Sequence, residues 1–125
     1  MKVSRLDEML GAPARLVIVA TVANLPPMRG VGCWTFTALR EETGLADGNL
    51  YVQTQKLIVA DYLRSYQVKR GNRRVTGFEL TDKGRAALQD LVGLLRDALA
   101  GKTGLNDLAA EKPRQYPRID GSKVW

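Results

Sequence analysis

The sequence predicts an α+β domain that is mainly helical, and three observations predict it. Two helical stretches are joined by a short turn at residues 44–46, which contains a glycine. Two β-favouring stretches follow on either side of residues 70–72, whose Arg-Gly-Asn sequence is typical of a hairpin turn. A long amphipathic helix is then predicted at residues 82–100. The length of 125 residues fits one domain with one modest core.

The first helical region is predicted at residues 3–25, with a break near residues 11–13. Pro13 suits the first turn of a helix, because the N–H that proline lacks has no partner there. Residues 16–23 are apolar almost all round, which is typical of a helix buried on more than one side. This stretch is far shorter than the ~20 apolar residues that span a bilayer. We therefore expect a helix packed in the core or against a second subunit.

The second helix is predicted at residues 34–43, with Thr35 as its N-cap and Gly44 as its C-terminal stop. Trp34 before the cap and Leu39 four residues after it are placed for a hydrophobic staple. The junction to the next helix then turns the chain tightly. These two helices and the turn between them have the pattern of a helix-turn-helix.

The third helix is predicted at residues 46–62 and is the candidate recognition helix. Its buried stripe recurs at helical spacing and consists of Leu50, Thr54 and Leu57. Asparagine and glutamine pair with adenine edges, and tyrosine contacts phosphates or thymine methyl groups. The residues left exposed are the candidate DNA contacts Asp47, Gly48, Asn49, Tyr51, Val52, Gln55 and Lys56. An ordinary solvated helix face is the alternative interpretation.

Two strands are predicted at residues 62–69 and 73–80, and Gly77 is expected to mark a bulge. No acidic residue lies between positions 62 and 78, whereas these cations do: Arg64, Lys69, Arg70, Arg73 and Arg74. Most of them crowd the hairpin tip, where phosphates would neutralise them and make binding depend steeply on salt. Thr35 and Asn72 complete the predicted DNA contacts. The alternative is a solubilising edge hairpin, since lysine and arginine protect exposed strands.

The last helix is predicted at residues 82–100, with Thr81 as its N-cap. Its apolar residues recur with coiled-coil-like spacing, which predicts a C-terminal dimerisation helix. The predicted dimer interface consists of Leu6, Leu10, Val17, Leu88, Leu91, Val92, Leu95 and Leu99. Residues 101–125 are rich in glycine and proline and are predicted to form an irregular basic tail, so the folded domain is expected at residues 1–100.

The order helix, helix, tight turn, helix, hairpin, helix predicts a winged helix-turn-helix with a C-terminal dimerisation helix. In this arrangement a helix fits the major groove, and the hairpin beside it reaches phosphates or the minor groove. The net charge of +6 and the pI of about 9.8 favour a polyanionic partner. The leading hypothesis is sequence-specific binding of double-stranded DNA by a homodimeric transcriptional regulator, acting as a repressor.

The chain contains no histidine and a single cysteine, Cys33. This composition excludes an intrachain disulfide and a thiolate or imidazole zinc site within one chain, although an all-carboxylate metal site stays open. No nucleophile–base pair is visible, so we expect neither an enzyme nor a cofactor. Cys33 is interpreted as a small semi-buried residue, with a redox sensor as the alternative. Residues 1–8 lack the pattern of a secretory signal, so a cytoplasmic protein without a membrane partner is the simplest expectation.

Residues 39–62 have the sequence LREETGLADGNLYVQTQKLIVADY, and this stretch resembles the winged-helix DNA-binding regulators near the MarR and ArsR groups. The matching positions are Leu39, Arg40, Gly44, Leu45, Asp47, Gly48, Asn49, Leu50, Leu57 and Tyr62. The Pro-x-Arg-Leu of residues 13–16 and the Leu-Thr-x-x-Gly-Arg of residues 80–85 are similar to the family's first helix and to the opening of its last helix. The resemblance implies a dimer on a near-palindromic operator, with the first and last helices at the interface.

The resemblance also leaves an unknown small-molecule effector open. Relatives of this kind often carry a ligand pocket between the dimer helices and the DNA-binding lobe. Met9, Met28 and Trp34 are the candidate residues for such a pocket, with a place in the core as the alternative.

The chain departs from the family pattern at several positions of the recognition helix. Ala46 replaces a capping serine, Gln53 stands where histidine is frequent, and Thr54 stands where a core leucine is usual. Asp61 replaces the glycine before the tyrosine, and aspartate tolerates a left-handed backbone less well than glycine. These departures affect the predicted docking of the helix on DNA more than the fold.

Ile58 and Val59 add apolar surface where relatives carry charge. They support a second hypothesis, a winged-helix module that docks another protein and does not read DNA. Specific duplex binding at low salt distinguishes the two hypotheses.

Overall fold

The computed structural model describes residues 6–26 and 33–101, and these residues form four helices and three strands. Their bounds are α1 Pro13–Val22, β1 Trp34–Thr35, α2 Phe36–Thr43, α3 Asp47–Val59, β2 Leu63–Arg70, β3 Arg73–Leu80 and α4 Asp82–Leu99. The predicted α+β, winged helix-turn-helix fold class is confirmed. The predicted tail at residues 102–125, the first residues of the predicted helical region at 3–5 and the loop residue Met28 lie outside the described residues.

The first helix is shorter than predicted, since α1 begins at Pro13 and ends at Val22. The residues before it form turns, in which the Leu10 N–H donates to the Asp7 Oδ1 at 3.1 Å. Leu10 is 1% exposed and packs in the core of its own chain. This position corrects the prediction that Leu10 contributes to a dimer interface, because a side chain buried within one protomer offers no surface to another.

Trp34 and Thr35 form β1 instead of opening a helix, and α2 therefore begins at Phe36. The sheet is antiparallel in the order β1-β3-β2, and Trp34 pairs with Phe78 of β3. A strand this short has no periodicity of its own, and its partner lies far along the chain. The predicted N-cap is confirmed, because the Thr35 Oγ1 accepts a hydrogen bond from the Ala38 N–H at 3.1 Å.

The predicted bulge at Gly77 is wrong, because β2 and β3 pair in unbroken register along their full length. Gly77 lies opposite Tyr66, and a Cβ at Gly77 would stand 3.0 Å from the Tyr66 ring and 3.1 Å from the Cys33 sulfur. Cys33 is half-buried at this contact. The glycine therefore provides room for close packing, not for an extra residue.

The third helix also ends earlier than predicted, at Val59. The Tyr62 N–H donates to the Leu57 carbonyl oxygen at 2.8 Å, and the Asp61 N–H donates to that of Ile58 at 2.9 Å. This is the hydrogen-bond pattern of a Schellman C-cap. Asp61 adopts the left-handed backbone that the cap requires, with a φ of 67°. The left-handed residue of such a cap is usually glycine, so an aspartate is a weaker sequence signal for the end of a helix. The helix was therefore predicted to continue to Tyr62.

The core lies between α1, α2, α3 and the inner face of the sheet. Its buried side chains are Leu10, Ile18, Val19, Val22, Trp34, Leu39, Leu50, Leu57, Tyr62, Leu63 and Phe78. Trp34, a candidate pocket residue, is thus part of the core, and its Nε1 donates to the Asn24 carbonyl oxygen at 3.0 Å. The inward face of α4 covers one side of this core with Ala87, Leu88 and Leu91.

Candidate nucleic-acid interface

The stripe predicted to bury α3 is confirmed, since Leu50, Thr54 and Leu57 are fully buried. The polar member of the stripe is satisfied within the helix, because the Thr54 Oγ1 donates to the Tyr51 carbonyl oxygen at 2.9 Å. A helix held along one stripe presents its remaining surface in a fixed orientation. The core therefore determines how α3 faces a partner.

The candidate DNA contacts on α3 are all exposed: Asp47, Gly48, Asn49, Tyr51, Val52, Gln55 and Lys56. Tyr51 and Val52 are 58% and 46% exposed, so a phenol and an isopropyl group are both available to a duplex. Val59 is 87% exposed and extends this surface toward the end of the helix. Thr35 lies apart in β1, where it is half-buried and caps α2.

The hairpin turn places like charges directly opposite one another. Gly71 has a φ of 66° and is the first residue of a two-residue turn, as in type II′ turns, and Asn72 is exposed beside it. The strand register pairs Arg70 with Arg73 and Lys69 with Arg74. Like charges directly opposite each other destabilise a strand pair. Within residues 6–26 and 33–101, neither ion pair involves these four cations, so a phosphate at the tip would relieve their repulsion.

The four cations of the tip divide between the two faces of the hairpin, because successive strand residues point to opposite faces. Lys69 and Arg74 share a face with the buried Phe78, whereas Arg70 and Arg73 lie on the other face. The face with Phe78 looks onto α3. A cleft of about 260 Å³ separates hairpin and helix there, and it is lined by Phe36, Tyr51, Thr54, Gln55, Ser65, Gln67, Thr76 and Phe78.

Arg64 lies at the base of the hairpin and differs from the tip cations. Its Nε donates to the Glu79 Oε2 at 2.7 Å across β2 and β3. The hydrogen bond to Glu79, followed by the charge of that carboxylate, raises the pKa of Arg64. Glu79 was not part of the predicted interface, because it lies one residue beyond the segment 62–78, which has no acidic residue. The charge of Arg64 is thus compensated within the hairpin, although its remaining guanidinium N–H groups stay available to a phosphate.

Asp47 at the start of α3 pairs with Arg40 of α2. The Arg40 Nη1 lies 3.2 Å from the Asp47 Oδ1, and both side chains are exposed. An exposed pair of this kind adds only about 0–1 kcal/mol to stability. The Arg40 cation also offsets the charge of the Asp47 carboxylate, which would otherwise repel a phosphate. Arg40 is therefore a further candidate contact, which only the packing of the two helices brought into view.

Side-chain hydrogen bonds tie α3 to α1 and to the turn before it. The Arg15 Nε donates to the Met9 carbonyl oxygen at 2.8 Å, and the Arg15 Nη1 donates to the Gln53 Oε1 at 3.0 Å. The Gln53 Nε2 in turn donates to the Asn49 Oδ1 at 3.0 Å. Arg15 and Gln53 are half-buried, and Asn49 is exposed. The glutamine that departs from the family pattern therefore connects α1 to a candidate DNA contact.

A second surface, distinct from the hairpin and α3, runs along α4. The predicted interface residues that are exposed are Leu6, Val17, Val92, Leu95 and Leu99. Leu88 and Leu91 are half-buried against the core. Leu91 lies on an apolar stripe of α4 beside its own domain. Positions 88, 92, 95 and 99 form a neighbouring stripe, which is half-buried at Leu88 and faces solvent from Val92 onward.

A groove of about 790 Å³ lies between the inner part of α4 and the turn before α1, where it is bordered by Leu6 and Asp90. In its wall, the Tyr62 hydroxyl donates to the Asp7 Oδ2 at 2.5 Å. Burial, followed by the hydrogen bond to Asp7 and its charge, raises the pKa of Tyr62 to about 12. The Lys83 ammonium lies 5.7 Å from the centroid of the Tyr62 ring. The groove thus combines apolar surface with paired polar groups, which are the features of a small-molecule site.

Two further findings concern the described part of the chain. None of its helices is long and apolar enough to cross a membrane. No three of its cysteine, aspartate and glutamate side chains cluster closely enough to hold a metal ion.

Solved structures of transcriptional regulators are similar to this fold. A transcriptional regulator homologue from Pyrococcus horikoshii OT3 is 22% identical with a TM-score of 0.62, over 76% of this chain and 88% of that chain. A variant of MarR from E. coli in complex with operator DNA is 17% identical with a TM-score of 0.59, over 86% and 79%. BpsR from Bordetella bronchiseptica, whose DNA binding is regulated by 6-hydroxynicotinic acid, is 15% identical with a TM-score of 0.56, over 89% and 78%. At these identities the likeness shows a shared fold.

The sequence itself matches a family model. No curated protein matches the chain, but the model of the winged helix DNA-binding domain matches residues 19–99. The matched region includes the helix-turn-helix, the exposed surface of α3, the hairpin with its charged tip, and α4. The resemblance to winged-helix regulators is thereby confirmed, and the chain belongs to the winged helix DNA-binding domain family.

Proposed function

We propose that the chain is a transcriptional regulator that binds a specific site in double-stranded DNA as a homodimer and represses transcription by occupying that site. The observation that carries the proposal is the position of Lys69 and Arg74, on the face of the hairpin that looks onto α3. One duplex can therefore meet the exposed surface of α3 and both cations together. We assign the protein no enzymatic activity, and a regulator of this kind would act in the cytoplasm.

The two elements divide the work of recognition. α3 would enter the major groove, where Tyr51, Val52 and Gln55 offer a hydroxyl, an apolar group and an amide to base edges. The hairpin tip would contact phosphates or the minor groove, and each phosphate it neutralises adds ~0.9 to the salt slope of binding. Lys56 is the cation of α3 itself, so most of the positive charge at the interface comes from the hairpin.

Dimerisation is supported by the solvent-facing stripe of α4. Val92, Leu95 and Leu99 form an apolar surface that a second copy of α4 would cover, as facing stripes do in coiled coils. A two-fold dimer of this kind would present two α3 helices to half-sites about 34 Å apart. It would therefore favour a near-palindromic operator.

The proposal is tested by selecting bound duplexes from a random pool and measuring their affinity at several salt concentrations. We expect a consensus with two inverted half-sites and a steep loss of affinity with salt. Transcription from a template that carries the selected site should fall when the protein is added. Binding without sequence preference, or the absence of duplex binding at low salt, would overturn the proposal.

A second candidate function is docking of another protein, and the exposure of Val59 favours it. Val59 borders a shallow apolar hollow of about 350 Å³ together with Met9, Gln55, Lys56 and Ala60. Such a surface suits an apolar side chain of a partner. If this function holds, Val59→Glu abolishes capture of the partner, and the wild-type protein shows no duplex preference in the selection.

An effector is the third part of the proposal, and the groove beside α4 is its candidate site. Asp7, Tyr62 and Lys83 would orient a polar group there. Because the groove adjoins the stripe proposed for dimerisation, a bound molecule would alter the spacing of the two α3 helices. A screen for small molecules that change DNA affinity tests this part, and Lys83→Ala should weaken the response to a molecule bound in this groove.

A further inference from the structure

The hydrogen bonds from Arg15 through Gln53 to Asn49 have a defined direction. A guanidinium group can only donate, so the Arg15 Nη1 requires an acceptor at Gln53. This requirement turns the Gln53 Oε1 toward Arg15 and the Gln53 Nε2 toward Asn49. The Gln53 Nε2 likewise requires an acceptor, and the Asn49 Oδ1 supplies it at 3.0 Å. The orientation of both amides therefore follows from the fact that the Arg15 guanidinium group can only donate hydrogen bonds.

The position of these groups makes the orientation persist. Arg15 is also held at its Nε, which donates to the Met9 carbonyl oxygen at 2.8 Å. The hydrogen bond from Arg15 to Gln53 is partly buried, which reduces competition from water, whereas the hydrogen bond from Gln53 to Asn49 is exposed in the first turn of α3. Hydrogen bonds in a chain strengthen one another. Because the Asn49 Oδ1 is directed toward Gln53, the Asn49 amide nitrogen, with its two N–H groups, is the part of this side chain turned toward a ligand.

We propose that Asn49 determines specificity, with its amide nitrogen turned outward by Gln53 and Arg15 so that it donates to a hydrogen-bond acceptor on the duplex. The inference rests on the proposed function and deepens it. Asparagine usually reads adenine with its oxygen and nitrogen together, but here the oxygen is directed along the helix toward Gln53 and away from a base edge. The base acceptors that suit a lone donor in the major groove are guanine N7 and O6, adenine N7 and thymine O4, whereas cytosine presents only an amino donor there.

Gln53→Glu reverses the direction of the hydrogen bond between residue 53 and Asn49 and provides the sharpest test. A carboxylate at position 53 still accepts from Arg15, but it can only accept from Asn49. The Asn49 amide must then turn its nitrogen inward and its Oδ1 outward. The variant keeps the size and shape of the side chain, so it changes the polarity of the hydrogen bonds and little of the packing.

The orientation is measured first without DNA, by hydrogen exchange of side-chain amides in NMR spectra. In the wild type we expect the Gln53 NH₂ to exchange several-fold more slowly than that of the exposed Gln55, and the Asn49 NH₂ to exchange rapidly. Gln53→Glu should slow exchange of the Asn49 NH₂, and Arg15→Met should accelerate exchange at Gln53. Unchanged exchange at Asn49 in Gln53→Glu would overturn the orienting role.

The target is then identified by duplex selection with the wild type, Asn49→Ala and Gln53→Glu. Gln89→Glu, exposed on α4, matches the change in net charge. If the acceptor is a base, the wild type disfavours cytosine at one position about three- to tenfold, as one hydrogen bond allows. Asn49→Ala removes this preference, and Gln53→Glu shifts it toward cytosine or adenine. If both variants lower affinity equally for all sequences, and more than Gln89→Glu does, the acceptor is a phosphate, which carries no sequence information, and the specificity role of Asn49 is refuted.

Different experimental outcomes would refute the role of Asn49 and the proposed function. If Asn49→Ala and Gln53→Glu bind and select like Gln89→Glu, while Lys69→Ala/Arg74→Ala loses binding, the role of Asn49 is refuted and DNA binding stands. If the wild type binds no duplex, the proposed function falls, and the donation of Asn49 to DNA falls with it.

Discussion

Gly84 packs with its Cα directly against the backbone carbonyl of Tyr62, and a Cβ at this position would overlap that oxygen. The same carbonyl accepts a hydrogen bond from the Thr81 N–H at 3.1 Å. The Thr81 Oγ1 accepts from the Gly84 N–H at 2.9 Å and donates to the Asp61 carbonyl oxygen at 2.6 Å. The Leu-Thr-x-x-Gly sequence thus fastens the start of α4 to the junction between α3 and the hairpin.

Gly84→Ala should lower the free energy of unfolding by about 2 kcal/mol, because the overlap with a backbone carbonyl outweighs the helix propensity gained. Gly93→Ala is the matched control in the same helix, since a Cβ there meets no atom within 4 Å. We expect it to raise stability by about 0.5–1 kcal/mol. Urea unfolding followed by circular dichroism measures both, and equal stabilisation by the two alanines would contradict the packing described.

Asp61→Gly should raise the free energy of unfolding by about 1 kcal/mol, because glycine adopts the left-handed backbone at a φ of 67° without the steric cost of a Cβ. Asp61→Ala should lower it, since alanine lacks the local hydrogen bonding that helps aspartate in this region. Thr81 bonds the backbone of residue 61, so neither change removes that contact. The same urea titration distinguishes the variants, and a less stable Asp61→Gly would show that the carboxylate itself stabilises the cap.

Lys69→Ala/Arg74→Ala should weaken duplex binding more than Arg70→Ala/Arg73→Ala, although both remove two positive charges. The first pair shares the hairpin face that looks onto α3, and the second pair lies on the opposite face. If both residues of the first pair contact phosphates, the salt slope falls by ~1.8. Fluorescence anisotropy at several salt concentrations measures affinity and slope. Equal losses would mean that the tip acts as a diffuse charge without a preferred face.

Stability should depend on the ionisation of Tyr62 at high pH. The pKa of Tyr62 is raised from 10.0 to about 12, so the folded state favours the protonated hydroxyl. The contribution is fully present below pH 10 and is lost as the pH rises toward 12, with a maximum of about 2–3 kcal/mol. Unfolding measured at intervals from pH 9 to 12 should show a steeper loss for the wild type than for Tyr62→Phe. Tyr51→Phe, which alters an exposed tyrosine, should retain the wild-type slope.

Leu95→Glu should convert the proposed dimer to a monomer of 13.8 kDa without unfolding it, because the charge falls on the solvent-facing stripe of α4. Val59→Glu is the control, since it places the same charge on an exposed apolar residue of α3. Sedimentation velocity measures the mass of each. A wild-type monomer, or a dimer unaffected by Leu95→Glu, would exclude this stripe as the interface.

Features carried by neighbouring residues were predictable from the sequence. The caps at Thr35 and Thr81 and the stop at Gly44 depend on side chains and backbone within one helical turn. The stripe Leu50, Thr54 and Leu57 depends on helical periodicity, which packing against the core then used without change. The order of the elements, and with it the family and the positively charged hairpin, follows from such local signals.

The tertiary structure alone decided which distant groups meet. β1 exists because Trp34 reaches Phe78, and Gly77 is a glycine because Tyr66 and Cys33 press against it. The pair Arg64–Glu79 and the hydrogen bonds from Arg15 to Asn49 likewise join residues whose separation along the chain leaves no periodic signal. A side-chain contact gains its energy only after the backbone has brought both partners within hydrogen-bond or van der Waals distance. The sequence by itself therefore determined the helices and strands and the positive charge of the candidate interface. The packing of those helices and strands decided on which face of the hairpin each cation lies and which atom of Asn49 is presented to a ligand.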